Sequence, residues 1–492
     1  MKINIRKFLS ALFCLLVLLS VYSCTYSVKD PGSKDNPTAA DDYAPISQLS
    51  KSLLPEARQD LSKAKVLNSL AELSLPEFGD GVLRIAAYDP SYIFSSGSTD
   101  PLHAAVNERN ELAEKKLKAI ISEVRIPQAE FYDTVYAEYM AGNDICDIII
   151  VPYSLMAPFV SAGMFMNVKS LPYVDYSKPY YDQEAMNSVT AGRMIYGVIG
   201  DYTYSPEKYW SVFYNRSLMN SLSLRDPLEL VEQNCWTWDA LMMYAKIASA
   251  KGYTPILSAE DDAAFCDAVW ASSGIKTMDN DAPRAPQMNF NTKKSRDLMS
   301  LITSIIDSDK MFVSEKDSGE GSSLEIFSQG KTLFCFSKVS AISRLYDSSF
   351  GTGAVPLPSY DTEYTSYNSY VDPSAQAVFV LNNAPDTDLS GAAIQALSAA
   401  SYGKNAKAFS ELCTYYYLSD ERSAAMIEKI TNKGYYDLGF MLGPSVPEIA
   451  SASYEMIHNT VFYKIDFATM YKQSIVAFNE RYSQRKLFVL LS

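Results

Sequence analysis

The sequence predicts an α/β fold built on parallel strands in two lobes, and three observations carry that prediction. Before residue 155 the chain runs strand, helix, strand, helix, strand. Its 492 residues are too many for one ordinary core. Its composition, 48% hydrophobic and 20% charged, is that of a folded protein rather than a disordered one.

The series opens with VLRIAAYDP, an apolar strand ending in Tyr88 and Asp89 before a Gly/Ser-rich loop. A helix follows, with Val106, Ala113, Leu117, Ile120 and Val124 on one face. Next come a short strand near VRI, a second helix stopped at Gly142 in AGND, and the buried-type strand CDIIIVP. Such a series predicts a parallel sheet covered on both faces. Ligands of open parallel sheets sit beyond the carboxyl ends of the strands, which selects Tyr88, Asp89, Tyr153 and Ser154 as candidates.

Past a helix ending near Gly163, GRMIYGVIGDYTYSPEKYWSVFYNRSLM reads as two apolar strands joined by an aromatic loop with Asp201, Tyr204 and Trp210. CWTWDALMMYAKIASAKG is an amphipathic helix: Thr237 caps it, Asp239 lies near the positive end of its dipole, and Leu241, Tyr244, Ala245 and Ala248 recur at helical spacing. Gly252 supplies the stop. Trp236 and Trp238 at its start are either a ligand platform or a hydrophobic clamp, and spacing alone does not choose. Helices are expected near Asp261 to Ile275 and Lys293 to Ile306; FSQGKTLFCFSKVSAISRLY reads as a turn, a buried strand and a helix, and GAVPLPSY as a short strand. From about Leu389 the chain is mostly helical. No repeat of about 20 to 50 residues is visible, which argues against solenoids and propellers.

The first residues carry an export signal: basic MKINIRK, the apolar run FLSALFCLLVLLS, then VYSC. The run is short of the roughly 20 residues a spanning helix needs. A small residue before Cys24, with an aliphatic residue three positions ahead of it, resembles a bacterial lipoprotein cleavage box. Residues 1–23 are therefore expected to be a lipoprotein signal peptide and Cys24 the lipidated first residue of the mature chain. Residues 24–80 read as a tether, with a short helix near Leu61 to Leu73.

A formal charge of -14 with no basic run excludes nucleic acid as a partner. Of seven cysteines, Cys14 lies in the signal and Cys24 is assigned, leaving Cys146, Cys235, Cys266, Cys335 and Cys413. These read as buried free thiols, with a Cys235–Cys266 disulfide as the alternative. No C-x-x-C occurs, and His103 and His458 are the only histidines, so zinc sites, cysteine–histidine catalysis and histidine-based hydrolase triads lack material. No catalytic residue, metal or cofactor is expected. The 35 tyrosines suit stacking on flat, partly polar ligands, although half-burial in a large surface accounts for most of them.

Four stretches in this order, YDTVYAEYMAGNDICDIIIVP, GRMIYGVIGDYTYSPEKYWSVFYNRSLM, CWTWDALMMYAKIASA, and FSQGKTLFCFSKVSAISRLY with GAVPLPSY behind it, resemble the extracellular solute-binding proteins of ATP-driven importers. The group is the sugar-binding one that includes maltose-binding protein, and the resemblance spans about Gly81 to Lys429. It implies a two-lobed periplasmic-binding-protein-like fold with discontinuous lobes and a ligand cleft at the hinge. Lobe 1 would take 81–200 and 362–415, and lobe 2 would take 201–361 and 416–492, with the first crossing beside Gly200 and Asp201. In family members the W-T-W helix start packs within the second lobe, which favours the clamp for Trp236 and Trp238.

Tyr88, Asp89, Tyr153, Asp201, Tyr204, Trp210, Lys338 and Tyr370 are the expected ligand-binding residues. The segment SKVSAISR lacks the tryptophan that maltose-binding protein carries there, so a sugar-stacking surface must come from other aromatics. The resemblance further implies a monomer, lipid-anchored at the extracytoplasmic face of the cell membrane, that binds a small solute, most plausibly a carbohydrate, and hands it to ABC transporter permease subunits without chemical conversion. Two rivals are a surface glycoside hydrolase using two cleft carboxylates, for which no local signature places a pair, and a mainly helical outer-membrane glycan-binding lipoprotein, which would lack the series around CDIIIVP.

Overall fold

The computed structural model describes residues 65–484, apart from 96–99, 191–193, 279–287, 289, 309–310, 315–321, 361–366, 419–420, 433, 444–448 and 450–453. The expected signal, Cys24 and most of the tether lie outside the described residues. Residues 65–71 are helical, and Val66 and Leu70 of this turn are buried.

The first sheet has four strands: β1 (Gly81–Ala87), β2 (Ala119–Val124), β3 (Ile148–Pro152) and β10 (Gln376–Phe379). Their order is β10-β3-β1-β2, with β1 parallel to both β2 and β3 and β10 antiparallel to β3. All five residues of β3 are buried, as a strand covered on both faces requires. The sheet is thus mixed rather than wholly parallel, because its last strand returns from more than 220 residues downstream, pairing Val378 with Ile150.

One boundary differs from expectation. The helix after β1 is Pro101–Leu117, ended by Lys118 in a left-handed conformation at φ 50°, so Ile120 and Val124 lie in β2, and that strand ends rather than begins at Val124. Ile120 and Val124 happen to continue the helical spacing, and no glycine or proline marks the stop.

The second sheet has five strands: β4 (Trp210–Asn215), β5 (Thr254–Ser258), β6 (Phe312–Val313), β7 (Thr332–Lys338) and β8 (Thr352–Val355), in the order β6-β5-β7-β4-β8. Helix Trp238–Ala250 packs on β5, helices Lys293–Ile306 and Tyr454–Phe462 pack on Asp262–Ser272 and on each other, and the terminal helix Phe467–Gln484 packs on those two. Thr237 accepts from the Ala240 amide as N-cap, and Gly252 adopts φ 81° at the stop.

The opening tryptophans are core. Trp236 donates Nε1 to the Pro356 carbonyl at 2.8 Å, and Trp238 lies at 12° to the Phe336 ring while donating to Ser272 Oγ at 2.9 Å. Both indoles are fully buried, so they fix how the helix meets β7 rather than facing a ligand. None of the five cysteines in the described residues forms a disulfide, which leaves Cys235 and Cys266 unbridged.

Candidate functional site

Between the two sheets the chain crosses twice, from β3 to β4 and from β8 to β10, and the crossings are lightly paired. Val198 exchanges both backbone bonds with Val378 (2.8 and 3.1 Å), but residues 195–199 form no longer strand. After Gly200 come two short turns, Asp201–Thr203 and Pro206–Lys208, and then β4. On the return, β9 (Ser369–Tyr370) pairs in parallel with β11 (Gly434–Tyr435), Tyr209 bridges Val371, and the Asp372 amide donates to the Lys208 carbonyl at 3.0 Å. Gly200 is required by close approach: a Cβ there would lie 2.2 Å from the Tyr180 carbonyl oxygen.

Beside the crossings lies a cavity of about 360 Å³, within the range of about 300 to 1,000 Å³ usual for small-molecule sites. Its wall combines the first crossing (Ile199, Gly200, Asp201, Thr203, Tyr204, Ser205, Tyr209), the start of β10 (Ala375, Gln376), Asp182, and the C-terminal elements (Gly403, Ala406, Lys407, Glu428, Thr431, Tyr436). Three phenols face it. Tyr209 and Tyr436 bring their hydroxyls to 3.3 Å, and Tyr204 hydrogen bonds to Thr431. Burial holds all three phenols above their ordinary range, so they are neutral donors and acceptors.

The carboxyls are tuned the same way. Asp201 accepts from the Gly403 amide at 2.6 Å, yet desolvation pushes it up to about 6, with the neighbouring Asp182 adding to the rise. Asp182 caps helix Gln183–Ser188 through the Ala185 amide and is raised as well, again chiefly by desolvation. Glu428, at the exposed mouth, accepts from Ser410 Oγ at 2.6 Å. The inventory of neutral phenols, hydroxyls, an amide and carboxyls suits a polyhydroxylated molecule.

Of the eight residues expected from the sequence, Asp201 and Tyr204 line this cavity. Asp89 is tied to its rim: its amide donates to Gln376 Oε1 (3.0 Å), and Gln376 Nε2 donates to its carbonyl (2.9 Å). Its carboxylate caps a turn at Ser91. Tyr88 is half-buried, edge-on to Phe131. Lys338 ion-pairs with Glu260 (3.1 Å) and Asp372 (3.5 Å), linking the end of β7 to the second crossing.

Tyr153, Trp210 and Tyr370 stand in the core. Trp210 is the first residue of β4 and not a loop residue; it is fully buried and packs on Tyr370 with centroids 6.0 Å apart. Tyr153 is buried edge-on to Phe379. Sequence reasoning missed Asp182, Tyr209, Gln376, Lys407, Glu428, Thr431 and Tyr436. Tyr209 and Gln376 adjoin the crossings and were within reach of the same geometric argument; the others arrive from helices and loops with no local signature.

On the outside of lobe 1 a second hollow, about 330 Å³, runs between residues 65–71 and helices Pro101–Leu117 and Lys404–Leu412. It is floored by Val66, Leu67, Ala104, Ala105, Leu112 and Ala408, and Lys407 borders both it and the hinge cavity. Among the described residues no group of three or more His, Cys, Asp or Glu is placed to hold a metal ion, and no helix is long and apolar enough to cross a membrane.

A family model described as bacterial extracellular solute-binding protein matches residues 127–409, more than half of the chain. The chain belongs to that family. No curated protein matches the sequence. Solved structures share the fold: a cyclo/maltodextrin-binding protein complexed with maltotetraose (TM-score 0.55, 15% identity, 82% of this chain and 98% of that one); an ABC substrate-binding protein from Listeria monocytogenes in complex with cycloalternan (TM-score 0.51, 14% identity, 82% and 99%); and the GacH receptor of Streptomyces glaucescens, unliganded and with acarbose (TM-score 0.51, 14% identity, 83% and 98%). The two-lobed periplasmic-binding-protein-like architecture is common to all of them.

Proposed function

We propose that this protein is a lipid-anchored receptor on the extracytoplasmic face of the cell membrane. It captures a sugar or oligosaccharide by closure of lobe 1 (81–200 and 362–415) on lobe 2 (201–361 and 416–492) and delivers it, unchanged, to the permease subunits of an ABC transporter. Asp201 and Tyr204 contact the solute directly. Tyr88, Asp89 and Lys338 lie on the cleft margin, and Tyr153, Trp210 and Tyr370 back the site from the core.

The observation that supports this reading best is the cavity beside two weakly paired crossings, walled by neutral phenols, hydroxyls and carboxyls drawn from both crossings and the C-terminal helices. A solute that touches both sides only in the closed state shifts the lobe equilibrium toward closure. Micromolar affinity, about 8 kcal/mol, suffices for capture.

Calorimetry of the mature chain against mono- and oligosaccharides, with small-angle scattering for the radius of gyration, tests it. One site per chain and a more compact bound form are expected. Steady product formation that vanishes when cavity carboxyls are neutralised would transfer the site to the glycosidase class, and silence toward every saccharide would end the carbohydrate reading.

A further inference from the structure

The hinge cavity has an imbalance that a neutral sugar leaves in place. Asp182 and Asp201 both line it, both are half-buried, and among the described residues neither stands within ion-pair distance of a cation. Buried carboxylates are ordinarily paired. The cations that reach them act from farther away: Lys65 lies over the Tyr402 ring, 3.7 Å from its centroid, and Lys276 is bound to the Tyr436 carbonyl and to Ser188. Lys407, on the same wall, has Glu411 at 3.7 Å.

Behind the wall the Asp201 backbone is held from the interior. Asn405, 1% exposed, donates Nδ2 to the Asp201 backbone carbonyl at 3.1 Å, while its Oδ1 is buried with no hydrogen-bond partner. The cavity wall carries three carboxyls, Asp182, Asp201 and Glu428, against one cationic side chain, Lys407. Three phenol rings, Tyr204, Tyr209 and Tyr436, add electron-rich faces that attract a cation.

We propose that the solute held in this cavity is an amine-bearing saccharide, its protonated amino group set against Asp182 and Asp201; this rests on the carbohydrate reading above. Ring hydroxyls meet the phenols and Thr431, and the ammonium offsets the wall's excess of carboxyls over cations. Glu428 at the mouth draws in the same charge.

The test is titration calorimetry of the mature chain at about pH 6.5, where the sugar amine is protonated, with glucosamine oligomers, their N-acetylated counterparts of equal length, and malto-oligosaccharides. The amine-bearing oligomer is expected to bind about tenfold or more tightly than either neutral one. Asp201→Asn and Asp182→Asn each keep an acceptor for the Gly403 and Ala185 amides. Each should weaken the amine ligand about tenfold more than it weakens the malto-oligosaccharide of equal length. Equal or tighter binding of a neutral oligomer overturns the proposal and leaves the carbohydrate reading standing. Binding of spermidine with no saccharide bound, or silence toward all of these probes, overturns both.

Discussion

Replacing Asp201 with asparagine should make the protein more stable at neutral pH. The carboxyl is pushed from 3.8 up to about 6, roughly two units, mainly because it is withdrawn from water. At about 1.36 kcal/mol per unit, the ionised form costs the fold roughly 3 kcal/mol. The sign follows from proton counting: between about pH 4 and pH 6 the folded chain holds a proton that the unfolded chain has released, so stability falls as pH rises through that window, and above it the cost is constant. Asparagine keeps an acceptor for the Gly403 amide and carries no charge. The variant should therefore match the parent near pH 4 and exceed it by up to about 3 kcal/mol near pH 7.5. For a lobe-sized cooperative unit this is a rise in melting temperature of about 6 to 12 °C. Urea and thermal melts across that pH range read it directly. A variant whose advantage over the parent is the same at both ends of the range would refute the desolvation argument, and one that is less stable at pH 7.5 would show that the carboxylate is paired rather than stranded.

Trp238→Ala removes a fully buried indole stacked on Phe336 and should cost about 3 to 5 kcal/mol in a urea melt, with ligand affinity preserved in the folded fraction. Trp210→Ala, now a core position at the head of β4, should lower the melting temperature on the same scale; loss of binding at unchanged stability would put its indole at the ligand after all. Gly200→Ala drives a Cβ onto the Tyr180 carbonyl and should destabilise by about 1 to 3 kcal/mol, and an unchanged urea midpoint would mean that the crossing relaxes freely. Cys24→Ser should release the protein from membranes in cell fractionation, and retention of a fully processed variant with no permease bound would sink the lipoprotein assignment.

Much of the architecture was written in short-range patterns. β3 announces itself as five apolar residues, and helix Trp238–Ala250 carries its cap, its stripe and its glycine stop in plain view. Errors arose where a pattern was ambiguous or too short. Ile120 and Val124 satisfy a helical period by coincidence, and the stop between them and the helix is a lysine in a left-handed conformation, which leaves no mark in a sequence. β9 and β11 are two residues each, below any period. The site divided along the same line: Asp201 and Tyr204 follow from the position of the crossing, whereas Asp182, Glu428 and Tyr436 reach the cavity only through tertiary packing. The aromatic run YSPEKYW reads as a loop, because it has no alternation to show that a strand begins at its last residue, Trp210.

Helix Lys404–Leu412 stands between two hollows, the hinge cavity and the groove on lobe 1. Its first turn, with Gly403, Ala406 and Lys407, walls the cavity, while Lys404, Lys407, Ala408 and Glu411 shape the hollow against helix Pro101–Leu117. Close-packed interiors transmit displacement instead of absorbing it. Whatever the cavity holds is therefore broadcast on the molecule's back, away from the gap between the lobes. An environment-sensitive dye on Glu411→Cys, the partly exposed residue of that hollow, would report occupancy as a change in colour or brightness, which makes this helix the natural place to build an optical sensor.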